Sequence, residues 1–222
     1  MALARRRLGV APMHRIFQML RGPVATVNRK NSWYRGLRLC AVDGTVLGVP
    51  DSMANRQRFL KHPGRITAGY PHVRLVAVIA CGTRSIIDAV FGTAQTGENE
   101  YFRQSFPSLS PGMLILADRN LDGAALLREL ADTGAEFLVR IRKNKVLPLL
   151  KTLPDGSFIS QIGAVPVRVL SARITVQEAD GSSRNELYRW VTTLCRLEQG
   201  YTAELARIYN QRWEIETCFR AM

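Results

Sequence analysis

The sequence predicts an α/β fold in which a mixed β-sheet is flanked by helices. Short apolar runs rich in Val, Ile and Leu alternate with segments of helical apolar periodicity. Gly, Pro and Asn occur between these segments, where turns are expected. The chain has 222 residues, of which 46% are hydrophobic, and this is enough to bury one sizeable core. Such an alternation packs as a sheet with helices against its faces.

The chain begins with a residual segment, residues 1–32, and its first strand follows. The segment is expected to be irregular or weakly helical, with a short amphipathic helix at HRIFQML. The runs LRLCAV and TVLGVP flank Asp43-Gly44 and predict either one strand or a tight hairpin.

A hairpin and a short helix are expected next. Residues 51–71 are polar and predict a loop. The runs RLVAVIAC and SIIDAVFG predict two strands joined at residues 82–84. The segment GENEYFRQSF predicts a short helix.

Two strands then enclose a helix. PGMLILAD predicts a buried strand, and EFLVRIR predicts another. Between them, LDGAALLRELADTGA predicts a helix with Asp122 as its N-cap and Gly134 at its C-terminal end.

The C-terminal part predicts a β-rich insertion at about residues 143–196 and one long helix, TAELARIYNQRWEIETCFRAM. Residues 33–222 would then form one core that contains this insertion. The element order is similar to that of the ribonuclease H-like fold, in which the first and fourth strands lie side by side.

The charge balance indicates a polyanionic partner. Lys and Arg number 31 against 18 Asp and Glu, a net charge of +13, and the basic residues are spread along the chain. Because Arg pairs with phosphate in bidentate fashion, nucleic acid is the leading candidate. Arg enrichment through a GC-rich genome is the alternative. The chain contains no apolar run of the roughly 20 residues needed to span a bilayer, and no secretory signal is predicted at its start.

The cysteines and histidines predict neither a zinc site nor a disulfide framework. The four cysteines are far apart and lack C-x-x-C spacing, so we expect buried thiols in a reducing compartment. The three histidines are scattered. These residues are Cys40, Cys81, Cys195, Cys218, His14, His62 and His72.

Two carboxylates stand at the ends of buried runs. Asp43 follows LRLCAV, and Asp118 follows MLILA. If the first and fourth strands are neighbours, these like charges converge and favour a hard divalent cation such as Mg²⁺ between them. Two alternatives stay open. Asp43-Gly44 could serve as a hairpin turn, and Asp118 could cap the loop that leads to Asp122.

The closing helix selects a third carboxylate. At about 100° per residue, Arg212 and Glu216 fall within roughly 60° of Leu205, on the apolar stripe, whereas Glu214 falls on the polar face. An inward Glu216 could join Asp43 and Asp118 around two Mg²⁺ ions. Such ions clamp the attacking and leaving oxygens of a phosphodiester displacement. The alternative is a structural Arg212–Glu216 pair.

The motifs together resemble a known family. Tyr209, Arg212 and Glu216 stand in the spacing Y-x2-R-x3-E, which resembles the YREK signature of DDE transposases of the insertion-sequence four (IS-four) type. The resemblance covers about residue 33 to the end of the chain. The segments that resemble the family's two Asp regions and its insertion are LRLCAVDGTVLGVPDSMANRQRF, PGMLILADRNLDG, TGAEFLVRIRKN, LPDGSFIS and YRWVTTL.

This resemblance implies a ribonuclease H-like catalytic core that cuts DNA at transposon ends and joins the freed 3′-hydroxyl to target DNA. It implies that Asp43, Asp118 and Glu216 form the catalytic triad and hold two Mg²⁺ ions, for which Mn²⁺ could substitute. It further implies that Tyr209 and Arg212 contact DNA phosphate.

Further DNA contacts are expected from Arg119, Arg140 and Lys143. In some relatives an aromatic residue of the insertion stacks on a flipped base, and Tyr188 or Trp190 could do so here. Strand packing is the slightly preferred alternative for both aromatics. The expected partners are terminal inverted repeats, target DNA and a second copy in a synaptic homodimer. The expected location is the bacterial cytoplasm, in association with the nucleoid.

The chain departs from the family pattern, and it stops inside the helix that carries Glu216. The signature Lys would fall one residue past the chain's last residue, the usual N-terminal DNA-binding region is nearly absent, and Asn120 stands where Gly usually follows Asp-Arg. These departures predict a truncated element, which is either one reading frame of a split gene or a decayed copy. The alternative function is therefore a catalytically dead DNA-binding remnant. A different ribonuclease H-like nuclease and a purely structural basic protein are weaker alternatives.

Overall fold

The computed structural model describes residues 7–24, 29, 31–59, 69–177 and 183–221. The described strands are β1 (Trp33–Tyr34), β2 (Leu37–Gly48), β3 (His72–Ala80), β4 (Ser85–Thr93), β5 (Met113–Ala117), β6 (Glu136–Arg140), β7 (Lys151–Thr152), β8 (Phe158–Ile162), β9 (Val165–Gln177) and β10 (Ser183–Thr192). The described α-helices are α1 (Val10–Leu20), α2 (Met53–Arg58), α3 (Glu98–Gln104), α4 (Ala124–Asp132), α5 (Thr202–Tyr209) and α6 (Glu214–Arg220).

The strands form one mixed sheet in the order β4-β3-β2-β5-β6-β10-β9-β8-β7, with β1 paired to β2. Strands β2, β5 and β6 run parallel to one another, and β3, β4 and β10 add antiparallel neighbours. The first and fourth strands of the predicted order, β2 and β5, are therefore adjacent. This confirms the predicted ribonuclease H-like mixed sheet.

Helices cover both faces of the sheet. Because side chains alternate along β2, Cys40 and Val42 face the core beneath α3 and α4, whereas Leu39 and Ala41 face the core beneath α5 and α6. The buried side chains of the central strands are almost wholly apolar. This two-sided burial explains why these strands are continuous apolar runs in the sequence. Among the described residues, none of the helices is long and apolar enough to cross a membrane.

Most of the predicted elements are confirmed. The runs either side of Asp43-Gly44 form one strand, so the hairpin alternative is wrong. β3 and β4 form the predicted hairpin, and helices α1, α3 and α4 lie where the sequence predicts them. The region 143–196 is β-rich as predicted, and its strands extend the central sheet through the pairing of β10 with β6.

Two predictions in the first half of the chain need correction. The expected loop at 51–71 contains the helix α2, which Ser52 caps by accepting a hydrogen bond from the backbone N–H of Asn55. Residues 60–68 of that loop lie outside the described residues. The N-cap of α4 is Gly123, because the carboxylate of Asp122 instead accepts the backbone N–H of Arg142 at 3.1 Å.

The closing helix is not continuous. A 3₁₀ turn, Asn210–Trp213, separates α5 from α6 and packs against β2. The break coincides with Arg212, whose guanidinium is held by Asp43 of β2. The prediction of one long helix is therefore wrong at Asn210–Trp213.

The cysteines are free thiols. Cys40 and Cys81 are buried, as predicted, whereas Cys195 and Cys218 are only half-buried. Burial raises the pKa of the Cys40 thiol to about 12, so this thiol is uncharged and behaves as an apolar side chain.

Candidate active site

The strand register brings Asp43 and Asp118 together. In the parallel pairing of β2 with β5, Ala41 lies opposite Leu116. Asp43 and Asp118 each stand two residues further along, so they occupy matching positions on the same face of neighbouring chains. Asp43 remains within β2, whereas β5 ends one residue before Asp118. The sequence could indicate this convergence, because it follows from adjacency of the two strands.

Asp118 also has a local structural role. Its Oδ1 accepts the backbone N–H of Asn120 at 2.6 Å and so caps the 3₁₀ turn Arg119–Leu121. Asp118 is therefore a capping residue, as one alternative predicted, but it caps this 3₁₀ turn and not the loop that leads to Asp122. One carboxylate oxygen makes the cap, which leaves Oδ2 available for a second partner.

Arg212 links Asp43 to the C-terminal helix. Its Nη1 donates to Oδ2 of Asp43 at 2.8 Å, and its Nη2 donates to Oε1 of Glu216 at 3.2 Å. The side chain of Arg212 is only 7% exposed, and its guanidinium lies over the ring of Trp213. The charge of this buried guanidinium is therefore matched by two carboxylates, one from the sheet and one from α6.

The two acids of α6 differ in their partners. Glu214 pairs with Arg84 of the β3–β4 turn, whereas Glu216 pairs with Arg212 beside Asp43. Their exposed fractions, 22% for Glu214 and 33% for Glu216, do not separate them. The contacts do, and they favour Glu216 as the acid directed toward Asp43. The Arg212–Glu216 pair considered from the sequence is present, with Asp43 as an additional member.

The electrostatics show that these carboxylates act on one another. Burial raises the pKa of Asp43 above its ordinary value, and the charges of Asp118 and Glu216 raise it further. Arg212 and the backbone N–H of Gly44 oppose this rise. The charges of Asp118 and Glu216 are therefore close enough to Asp43 to act on it, and a cation beside Asp43 would reduce this repulsion.

Tyr209 fixes the end of β5. The side chain is 4% exposed, and its hydroxyl donates to the carbonyl of Ala117 at 3.2 Å, one residue before Asp118. Burial raises the pKa of this phenol, so the hydroxyl remains a hydrogen-bond donor. The contact positions the backbone that carries Asp118. A contact of Tyr209 with DNA phosphate stays a prediction.

The basic residues expected to contact DNA lie near the same sheet edge. Arg119 is exposed beside Asp118. Arg140 ends β6 and pairs with Glu186 at 3.1 Å, and Lys143, which is 62% exposed, approaches the same carboxylate at 3.4 Å. These positions are compatible with phosphate contacts. The contacts themselves stay predictions.

The two aromatics of β10 are in different environments. Trp190 is 1% exposed and packs against Tyr209, which supports its strand-packing alternative. Tyr188 is half-buried, and the guanidinium of Arg140 lies 3.6 Å from its ring centroid. A base could stack on Tyr188 only if Arg140 moved from this face of the ring.

The site contains a fourth carboxylate that the sequence analysis missed. Glu98, the first residue of α3, lies against Gly44 of β2, next to Asp43. A glycine within a strand often marks the close approach of another group, and this was the available signal. It was overlooked because Asp43-Gly44 is also typical of a hairpin turn.

The donor set suits a hard divalent ion, although the described residues do not form a closed metal site. Among residues 7–24, 29, 31–59, 69–177 and 183–221, no three His, Cys, Asp or Glu side chains are grouped closely enough to be ligands as they stand. The guanidinium of Arg212 lies between Asp43 and Glu216 and compensates them. Glu98 Oε1 is buried without a hydrogen-bond partner, so the site retains an unsatisfied oxygen of the kind that Mg²⁺ binds.

Comparison with known proteins agrees with these features. The sequence profile of the family described as "Transposase DDE domain" matches residues 34–222. The chain is also similar to the transposase InsG for insertion sequence element IS4 from Escherichia coli (strain K12), with 25% identity over 226 residues. That alignment covers 98% of this chain and 51% of the relative, so the chain spans about half the length of the curated relative. The predicted membership of the IS4-type DDE transposases is thereby confirmed.

Proposed function

The chain belongs to the transposase DDE domain family, and from this premise we propose that it cleaves DNA at transposon ends and joins the freed 3′-hydroxyl to target DNA. Asp43, Asp118 and Glu216 are the proposed catalytic triad. The observation that carries the proposal is the matched register of Asp43 and Asp118 on adjacent parallel strands, with Glu216 joined to Asp43 through Arg212. Transposition requires phosphodiester chemistry, and paired carboxylates at such a site are suited to it.

The proposed triad binds Mg²⁺, with Mn²⁺ as a substitute. When bound, such ions activate a water or a 3′-hydroxyl for in-line attack and stabilise the leaving oxygen. The carboxylates of this chain would bind and position the ions. Asp43 and Asp118 supply oxygens from the sheet, Glu216 supplies one from α6, and Tyr209 fixes the backbone before Asp118.

Arg212 has two roles in this proposal. It donates a hydrogen bond to Asp43 and another to Glu216, and its positive charge stabilises both carboxylates before DNA is bound. Its Nε is buried without a hydrogen-bond partner, which leaves one donor for a phosphate oxygen. The family-derived expectation that Arg212 contacts DNA phosphate is compatible with that unpaired donor.

The proposed partners are transposon terminal repeats and target DNA. The net charge of +13 favours a polyanion, and Arg119, Arg140 and Lys143 would contact the backbone near the carboxylates. Tyr188 is a proposed base-stacking residue. A synaptic homodimer at the nucleoid is the assembly expected for such a reaction.

Metal-dependent nicking tests the proposal. We expect the purified chain to nick supercoiled plasmid in Mg²⁺ or Mn²⁺, and we expect EDTA to abolish the nicking, because the carboxylates need a cation for the displacement. Transfer of a labelled 3′ transposon end into plasmid would then demonstrate the joining step. Folded protein that binds DNA but gives no metal-dependent nicking would contradict the proposed catalysis and favour the DNA-binding remnant.

The DNA-binding residues make a separate prediction about salt. We expect the logarithm of the DNA affinity to fall linearly with the logarithm of salt concentration. Lys143→Ala should reduce the slope of that line by about one, because one phosphate contact is lost. Fluorescence anisotropy with labelled duplex DNA at several salt concentrations measures this. Lys151→Ala is the matched control, since Lys151 is an exposed lysine on β7, at the far edge of the sheet. Equal slopes for the two variants would contradict a localised DNA-binding surface.

A further inference from the structure

Glu98 lies unusually close to the backbone of β2. A Cβ atom built on Gly44 would stand 2.8 Å from both Cδ and Oε1 of Glu98. Any other residue at position 44 would displace the carboxylate, because real Cβ atoms do not approach so closely. Glycine weakens the interior of a strand, so its presence in the middle of β2 is explained by this approach.

One oxygen of the Glu98 carboxylate is not satisfied by the protein. This atom, Oε1, is buried and has no hydrogen-bond partner, whereas buried polar atoms are normally paired. The other acid of the same turn, Glu100, is exposed and pairs with Arg103. Acidic residues are favourable in the first turn of a helix, but this effect does not explain a carboxylate that is buried against a strand.

Glu98 lies near Asp43 and Asp118, the two strand carboxylates that are proposed to bind the metal. Burial raises the pKa of Glu98, and the charges of Asp43 and Asp118 raise it further, against opposing contributions from the charge of Arg74 and the backbone N–H of Gly44. Arg74 donates to the carbonyl of Ala94 at 3.2 Å, and the nearby charge of Arg74 does not satisfy Oε1. The charges of Asp43 and Asp118 are thus near enough to act on Glu98.

The two faces of β2 are compensated differently. Arg212 approaches Asp43 from the α5–α6 face and forms ion pairs with Asp43 and Glu216. Glu98 approaches from the α3–α4 face. Val42 faces this side, and a Cβ atom on Gly44, two residues further along β2, would face it too. The guanidinium of Arg212, which pairs with Asp43 and Glu216, therefore does not compensate the charge of Glu98.

From this arrangement we infer that Glu98 is a fourth carboxylate of the metal site and binds a divalent cation together with Asp43 and Asp118. The inference rests on the proposed function, since it adds a residue to the same site. The cation satisfies the unpaired Oε1 and reduces the repulsion among the three carboxylates. Gly44 is the residue that permits Glu98 to reach this position.

Direct measurement of Mn²⁺ binding tests the inference without an activity assay. Free Mn²⁺ can be titrated by electron paramagnetic resonance in the presence of the full chain without DNA. We expect Glu98→Gln to weaken Mn²⁺ binding by about 10-fold or more, since even outer-shell partners of a metal contribute about 10–100-fold. Glu98→Asp, which keeps the charge but shortens the side chain by one methylene, should give an intermediate affinity. Glu100→Gln is the matched control, because it removes the same charge from the same helix turn. It should bind Mn²⁺ as the wild type does, because Glu100 is exposed.

The outcomes separate this inference from the proposed function. Asp118→Asn should also weaken Mn²⁺ binding if the proposed site exists. Equal affinity for Glu98→Gln and wild type, with weakened binding by Asp118→Asn, would overturn the role of Glu98 alone. Wild type that does not bind Mn²⁺ would overturn both. Thermal melting of the metal-free variants shows whether each is folded, and Glu98→Gln should melt no lower than wild type because it removes a buried charge.

Discussion

We expect Asp118→Asn to reduce metal-dependent nicking by at least about 100-fold, which is the usual cost of removing one group that stabilises transition-state charge. The substitution is chosen because asparagine retains an oxygen that can still accept the backbone N–H of Asn120. The cap of the 3₁₀ turn is thereby preserved while the negative charge is removed. A loss of nicking in a folded variant therefore reports the charge of the carboxylate rather than the local structure.

Asp132→Asn is the matched control for Asp118→Asn. Asp132 is exposed at the end of α4, so this variant makes the same change in net charge away from the proposed site. Both variants should bind DNA equally well in the absence of metal, and only Asp118→Asn should lose nicking. Nicking by Asp118→Asn within a few fold of the control would show that Asp118 is not a catalytic residue.

The convergence of Asp43 and Asp118 could be inferred from the sequence, because it requires only that strands β2 and β5 are neighbours. Asp43 and Asp118 each follow an apolar run, and adjacency of β2 and β5 is sufficient to bring them together. Helical periodicity favoured Glu216 over Glu214, and the contact of Glu216 with Arg212 agrees with it, although the exposed fractions of the two acids do not separate them. Patterns that repeat along a segment thus indicated the elements that carry these carboxylates.

The remaining features depend on contacts that no local pattern contains. Asp43-Gly44 is typical of a hairpin turn, yet pairing with β3 on one side and β5 on the other holds it extended. Glu98 enters the site because α3 packs over Gly44, far away in the sequence. Asp122 has the composition of an N-cap, but its carboxylate is taken by the backbone of Arg142. In each case tertiary packing overrides a short-range preference.

A second network positions the C-terminal helix. Arg168 of β9 is fully buried and pairs with Asp155, whose side chain is 9% exposed. Asp155 Oδ2 also accepts the backbone N–H and the hydroxyl of Thr202 at 3.0 and 2.7 Å. Arg168 Nη1 donates to the carbonyl of Gly200 at 2.7 Å. The network therefore joins the β-rich region to the first residue of α5, the helix that leads to Arg212 and Glu216.

We expect Asp155→Ala to lower the free energy of unfolding by about 3–5 kcal/mol, because it leaves the charge of Arg168 buried and unpaired. That is a large fraction of the roughly 5–15 kcal/mol of a typical domain. Urea denaturation followed by circular dichroism measures the change. The control is Asp51→Ala, which breaks the more exposed Asp51–Arg56 pair and should cost less than about 1 kcal/mol.

The same network predicts how stability depends on pH. Burial would raise the pKa of Asp155, but hydrogen bonds from Ser157 and Thr202 outweigh it and hold this pKa well below its ordinary value. The pKa is therefore lower in the folded than in the unfolded chain. The contribution of Asp155 is complete above the unfolded value of about 3.9 and is lost as the pH falls toward the folded value. Wild type should lose stability across this range more steeply than Asp155→Ala does. Parallel pH profiles, or equal losses for Asp155→Ala and Asp51→Ala, would show that the network does not stabilise the attachment of α5.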